Sequence, residues 1–202
     1  MALRNHALDE KIVDAARAEF LEKGYRDASL HKIAARAGLT TGALYTRYKS
    51  KDDLFCSLVQ EVIDVVRTYS GALQERYMEA QTSGDPEKIL AVIRSEEDIY
   101  RKLLLEHQDA CVLFFCRSEG SSLGDLLESR LEYKGVQTAE YLKRISRTDI
   151  DLDGVAMLIF SQFLFFRKIL DRGYSPEKVL NCMTTMSLYM DAGWKALFEA
   201  IL

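Results

Sequence analysis

Apolar residues recur along most of this chain at intervals of three and four, the period of one face of an α-helix. Leu8, Ile12, Ala15/Ala16 and Phe20 predict a first helix that ends at Gly24, just after Lys23. Ser29 is placed to cap a short second helix with Leu30, Ile33, Ala34 and Ala37 inward, and Gly38 closes it. Thr40 opens a third carrying Leu44 and Tyr48, and Ser50-x-x-Asp53 is a capping box for a fourth. Leu54, Leu58, Val62 and Val65/Val66 mark that fourth helix, and nothing in the sequence stops it before Ser83-Gly84-Asp85-Pro86, so it is expected to run over about 51–81.

Asp85 followed by Pro86 starts a fifth helix through Ile89, Ile93 and Leu103/Leu104. A short apolar helix follows over Cys111 to Arg117. Ser122-x-x-Asp125 caps another that reaches about Arg147, with a possible bend at Gly135. The last two run from about Asp151 to Arg172 and from Ser175-Pro176 to the end. Both are apolar on more than one side: Met157, Phe160 and Leu164 lie off the main stripe of the first, and Leu180, Leu188 and Phe198 off that of the second. One core cannot cover all of that surface, which predicts a homodimer formed through the two C-terminal helices. The expected fold is all-α, with about nine helices.

Composition supports this pattern. Two prolines and eleven glycines in 202 residues leave too little turn chemistry for a β-sandwich or a doubly wound sheet. Cys56, Cys111, Cys116 and Cys182 form no C-x-x-C pair and sit in helical patterns, as reduced thiols do. Charges within the first eleven residues interrupt any signal-like apolar run, and the longest apolar stretch, Val155 to Phe166, is too short for a membrane span. A cytoplasmic location is expected. Net charge is −4, yet residues 1–51 hold ten Lys/Arg against six Asp/Glu. The excess suggests an N-terminal surface for a polyanion.

The spacing of Phe20, Gly24-Tyr25, Ile33-Ala34, Ala37-Gly38, Gly42, Leu44-Tyr45, Tyr48 and Lys51-Asp-Asp-Leu54 closely resembles the N-terminal domain of TetR/AcrR-family transcriptional regulators. The resemblance implies a three-helix DNA-binding domain over residues 1–50, with its helix-turn-helix at about 29–48. It also implies a helical effector-binding and dimerisation domain over 51–202, the fourth helix linking the two. DNA-contact positions carried over are Ser29, His31, Thr40, Thr41, Gly42, Tyr45, Thr46, Arg47 and Lys51. Arg47 is the candidate for guanine readout, with a contact to phosphate alone as the alternative, and Lys51 is the candidate for phosphate. Gly42 would allow close approach of the DNA backbone, whereas Tyr48 reads as a core aromatic. Ala28 stands where the family commonly has threonine, and Tyr48 where it has phenylalanine.

The function implied is a ligand-responsive repressor that binds a palindromic operator as a dimer. The alternatives are an activator, or a helical ligand-binding or interaction protein without DNA binding. No nucleophile motif, phosphate loop or H-E-x-x-H occurs, so no enzymatic activity and no cofactor is expected. His107 and Cys111 lie four apart with Cys116 nearby, but a second ligand cluster is missing, and ordinary buried thiols are the better reading. Candidates for lining a site for a small, largely apolar effector are Tyr100, His107, Phe114, Phe115, Arg117, Tyr133, Met157, Phe160, Gln162 and Phe163.

Overall fold

The computed structural model describes residues 6–83, 85–149 and 151–201. The first five residues, which contribute to the N-terminal charge, and Gly84 of the expected turn lie outside the described residues. Ten α-helices and no strand occur among the described residues. They are α1 (His6–Asp27), α2 (Leu30–Arg36), α3 (Thr41–Tyr45), α4 (Lys51–Leu58), α5 (Gln60–Ser83), α6 (Pro86–Glu106), α7 (Gln108–Cys116), α8 (Ser122–Ile145), α9 (Leu152–Asp171) and α10 (Pro176–Ile201). None of them is long and apolar enough to cross a membrane.

Most helix starts follow the side-chain signals in the sequence. Ser29, Thr40, Ser50 and Asp85 each accept a backbone N–H in the first turn of the helix they precede, and Ser175 does the same for Lys178. The cap of α8 is Ser121, one residue earlier than expected: its Oγ accepts the Gly124 N–H at 3.2 Å. α8 is helical through Gly135, where an added Cβ would come within 3.5 Å of Ala156.

Two expected boundaries move. Gly24 does interrupt the first helix, with φ +74° and ψ 170°, but the chain resumes a helical turn to Asp27. The fourth helix is not continuous over 51–81. It breaks at Val59 (φ −120°, ψ 15°), whose N–H turns back to the Cys56 carbonyl at 3.2 Å. Leu54, Phe55, Leu58, Val59 and Val62 are all buried, a wider arc than one face of a straight helix presents, so packing overrides a sequence with neither proline nor glycine at the break.

The chain divides into two compact units. The first comprises the residues up to Ile63 together with Asp109–Leu127. Its buried residues include Ile12, Phe20, Ile33, Leu44, Leu54, Phe55 and Leu113. Phe55 packs edge-on against Phe20 and Tyr25, with ring centres 5.0 and 5.3 Å apart. The segment after α7 docks on the Gly24 break: Arg117 accepts the Tyr25 N–H at 2.8 Å, and its Nε donates to the Leu21 carbonyl at 3.0 Å. Asp52 of α4 accepts both the N–H and the hydroxyl of Ser122, at 3.0 and 2.6 Å.

The second unit holds Asp64–Gln108 and the chain from Glu128 onward. Ile89, Leu90, Leu142, Val155, Ile159, Trp194 and Phe198 belong to its core. A polar seam ties α6 to α10 through Arg94 and Asp191 (2.8 Å), Glu97 and Ser187 (2.5 Å), and Arg101 and Thr184 (3.0 Å). Met157, Leu158, Leu164 and Phe165 of α9 and Leu188 and Tyr189 of α10 are exposed.

Candidate nucleic-acid interface

The short α2 and α3 are held at their turn by backbone and side-chain bonds. Glu19, buried on α1, accepts the Ser29 N–H at 3.2 Å and so fixes the start of α2. Gly38 has φ +73°, a left-handed conformation that costs a residue with a Cβ, and the next N–H, of Leu39, bonds the Ala34 carbonyl at 2.8 Å. The Thr40 hydroxyl accepts the Ala43 N–H at 3.2 Å, and Leu44 is buried as the inward anchor of α3. This is a helix-turn-helix.

The opposite side of the same segment faces solvent. His31, Thr40, Gly42, Tyr45, Thr46 and Arg47 are exposed, whereas Ser29, Thr41 and Lys51 are half-buried. Tyr45 keeps 52% of its surface open, unusual for a large aromatic with no interior role. An added Cβ at Gly42 would meet nothing nearer than the Thr40 hydroxyl, 3.9 Å away, so nothing inside the fold demands glycine there. Tyr48, set aside as a core aromatic, is half-buried.

Besides the capping hydroxyls of Ser29 and Thr40, three of the carried-over groups already have partners within the unit. The Thr46 hydroxyl donates to the Ala43 carbonyl at 2.7 Å. Lys51 Nζ donates to the Arg26 carbonyl at 3.0 Å and stands 4.9 Å from the centre of the Tyr25 ring. Partial burial there holds its pKa below the ordinary lysine value. Arg47 Nε donates to Asp9 Oδ1 at 3.0 Å, a bond between α1 and the end of α3. Arg26 and Asp9 were not singled out by sequence reasoning, and Tyr25 only as part of the family spacing, because these contacts come from tertiary placement.

The effector candidates fall in both units. Phe114 and Phe115 are buried in the first, packed edge-on 4.8 Å apart, and Arg117 is engaged with the Leu21 and Cys116 carbonyls. In the second unit Tyr133, Met157 and Phe160 lie on the surface. Tyr100 packs against Phe166 at 5.7 Å, and its hydroxyl donates to Glu96, which also takes the Lys134 ammonium at 2.6 Å. Burial pushes the Tyr100 hydroxyl pKa up. Gln162 donates to the Met190 sulfur at 3.5 Å, the Arg167 guanidinium lies 5.8 Å from the Phe163 ring, and His107 ends α6. No group of three His, Cys, Asp or Glu side chains able to hold a metal ion occurs among the described residues. Burial raises the Cys111 thiol pKa to about 12, which keeps it protonated and unreactive.

Residues 12–58 match the family model of bacterial regulatory proteins of the tetR family. That segment is a TetR-type domain. The chain is 36% identical over 84 residues to the HTH-type transcriptional regulator AcrR of Shigella flexneri, covering 42% of this chain and 37% of that protein. It is 39% identical over 51 residues to the fatty acid metabolism regulator protein of Bacillus subtilis, covering 25% of this chain and 26% of the relative. The match thus spans about a third or less of these relatives.

Similarity of fold extends further. The ketosteroid transcriptional regulator KstR2 of Mycobacterium tuberculosis aligns over 96% of both chains with a TM-score of 0.56 at 21% identity. NalD, the secondary repressor of the MexAB-OprM multidrug efflux pump in Pseudomonas aeruginosa, aligns over 98% of this chain and 97% of its own, with a TM-score of 0.51 at 19% identity. At these identities the likeness establishes a TetR-like helical architecture and nothing about ligands.

Proposed function

We propose that the protein is a transcriptional regulator that docks α3 in the major groove of duplex DNA. The observation that carries this reading is the exposed face formed by Thr40, Gly42 and Tyr45 on a helix-turn-helix whose inward Ile33, Ala34, Ala37 and Leu44 are buried. Ser29, His31, Thr40, Thr41, Gly42, Tyr45, Thr46 and Lys51 form the contact surface. Lys51 keeps donor capacity beyond its bond to the Arg26 carbonyl, since an ammonium has three N–H groups. The Tyr45 hydroxyl has length to reach a phosphate, and the bare backbone at Gly42 admits the DNA strand.

The regulator acts in the cytoplasm as a homodimer on a palindromic operator, its three-helix DNA-binding domain ending near residue 50 within the first compact unit. Binding of a small, largely apolar molecule in the helical body lowers operator affinity. Coupling of this kind is reciprocal: operator DNA weakens effector binding by the same factor, typically about 5–150-fold.

Titration of the duplex that lies upstream of the protein's own gene tests the DNA step. Binding that weakens steeply as salt rises, and that is lost in the Tyr45→Ala/Lys51→Ala double variant with its helical content intact, is the expected outcome. Wild-type protein that binds no duplex at low salt overturns the reading.

A further inference from the structure

The segment from Gly38 to Tyr48 contains a single charged residue, Arg47. That charge is not open to solvent on its own. Arg47 Nε lies 3.0 Å from Asp9 Oδ1, and the side chains are 29% and 26% exposed, so the pair is only partly screened by water. A guanidinium bonded to a carboxylate at this distance forms a charge-assisted hydrogen bond that fixes its plane. Two other basic groups of the same unit are also paired with carboxylates, Arg26 with Glu119 at 2.8 Å and Lys23 with Glu22 at 2.8 Å. On the recognition segment itself, positive charge is therefore available only so far as Asp9 releases it.

We propose that Asp9, a residue of α1 outside the helix-turn-helix, determines sequence discrimination by holding Arg47 away from indiscriminate phosphate contact. The inference rests on the DNA-binding reading above. A free arginine beside the groove attracts any duplex equally, because phosphates are present at every step. Raising the affinity for all sequences by one contact narrows the ratio between operator and other DNA. With Arg47 tied back, that sequence-independent gain is withheld, and discrimination is left to Thr41, Gly42 and Tyr45. Asp9 is thus a specificity-determining residue that acts through another side chain and touches no DNA itself.

The test uses the full-length chain and a 30-base-pair duplex of scrambled sequence, with affinity measured by fluorescence anisotropy over a range of salt. Each released phosphate contact steepens the plot of log affinity against log salt by about 0.9. The Asp9→Ala variant should bind the scrambled duplex more tightly at low salt with a slope steeper by about that amount. The Asp9→Ala/Arg47→Ala double variant should lose that steepening. Asp9→Asn, which keeps the shape and an acceptor oxygen while removing the charge, should shift the slope in the same direction and serves if Asp9→Ala does not fold.

Unchanged slopes in both Asp9 variants overturn the proposal. So does a double variant as steep as Asp9→Ala, since the gain would then not pass through Arg47. A purely structural pair would lower the melting temperature and leave all slopes equal. Wild-type protein that binds no duplex overturns the DNA-binding reading and this proposal with it, an outcome distinct from wild-type binding with unchanged Asp9 variants.

Discussion

Glu97 is a carboxyl on α6 placed where a carboxylate is poorly solvated. Its burial pushes its pKa above the ordinary 4.5, and Asp191 and Asp98 push the same way, against the Ser187 hydroxyl and Arg101, which favour the charged form. A carboxyl whose pKa is raised by folding binds protons more readily in the native state than in the unfolded chain. The slope of stability with pH is therefore negative: stability falls as pH rises from 4.5 through the raised value and stays lower beyond it. Replacing Glu97 by Gln removes the ionisation and keeps an oxygen for Ser187. The expected result is a melting temperature higher than wild type at pH 8. The gap should close as the pH approaches 4. A variant that melts lower at pH 8 would show that the charge of Glu97 stabilises the α6–α10 seam.

Elements reveal which features can be read from local sequence. Helix starts were legible because a cap is chemistry within four residues: Ser29, Thr40, Ser50 and Asp85 each meet an N–H in the following turn. The break at Val59 was not, since it answers to the simultaneous burial of Leu58, Val59 and Val62 and leaves no turn residue behind. The outer face of α3 was legible by resemblance, but the Asp9 partner of Arg47, 38 positions away, was not. Gly124 is a further case that only packing explains. A Cβ there would stand 2.5 Å from the Ser118 carbonyl oxygen and 3.1 Å from its carbon. Alanine improves helix propensity by about 1 kcal/mol. Forcing backbone apart in a packed site costs about 1–3 kcal/mol, so the clash wins. Gly124→Ala should therefore lower the thermal midpoint, as followed by circular dichroism. An unchanged or raised midpoint would mean that the segment after α7 yields freely.

For the whole molecule, the arrangement of α9 and α10 bears on assembly. α10 is satisfied on one side by its polar seam with α6 and on another by Trp194 and Phe198 in the core. What remains outside includes large apolar side chains: Leu188 is 70% and Tyr189 75% exposed, with Met157, Leu158, Leu164 and Phe165 on α9. Monomeric soluble proteins seldom leave such a group of large side chains in water. A second copy related by a two-fold axis would cover it with the same residues, because an isologous contact is self-complementary. Two recognition helices carried by such a dimer address half-sites about 34–36 Å apart. The Phe165→Glu/Leu188→Glu variant should then run in light scattering at the 23.0-kDa mass of one chain, while the wild type runs at twice that mass. Its helical content should match the wild type, since both positions are exposed, and its operator affinity should fall because each chain grips one half-site alone. A wild-type protein that stays at 23.0 kDa at micromolar concentration removes the dimer, and with it the palindromic operator, while leaving the DNA-contact surface of a single chain open to the scrambled-duplex titration.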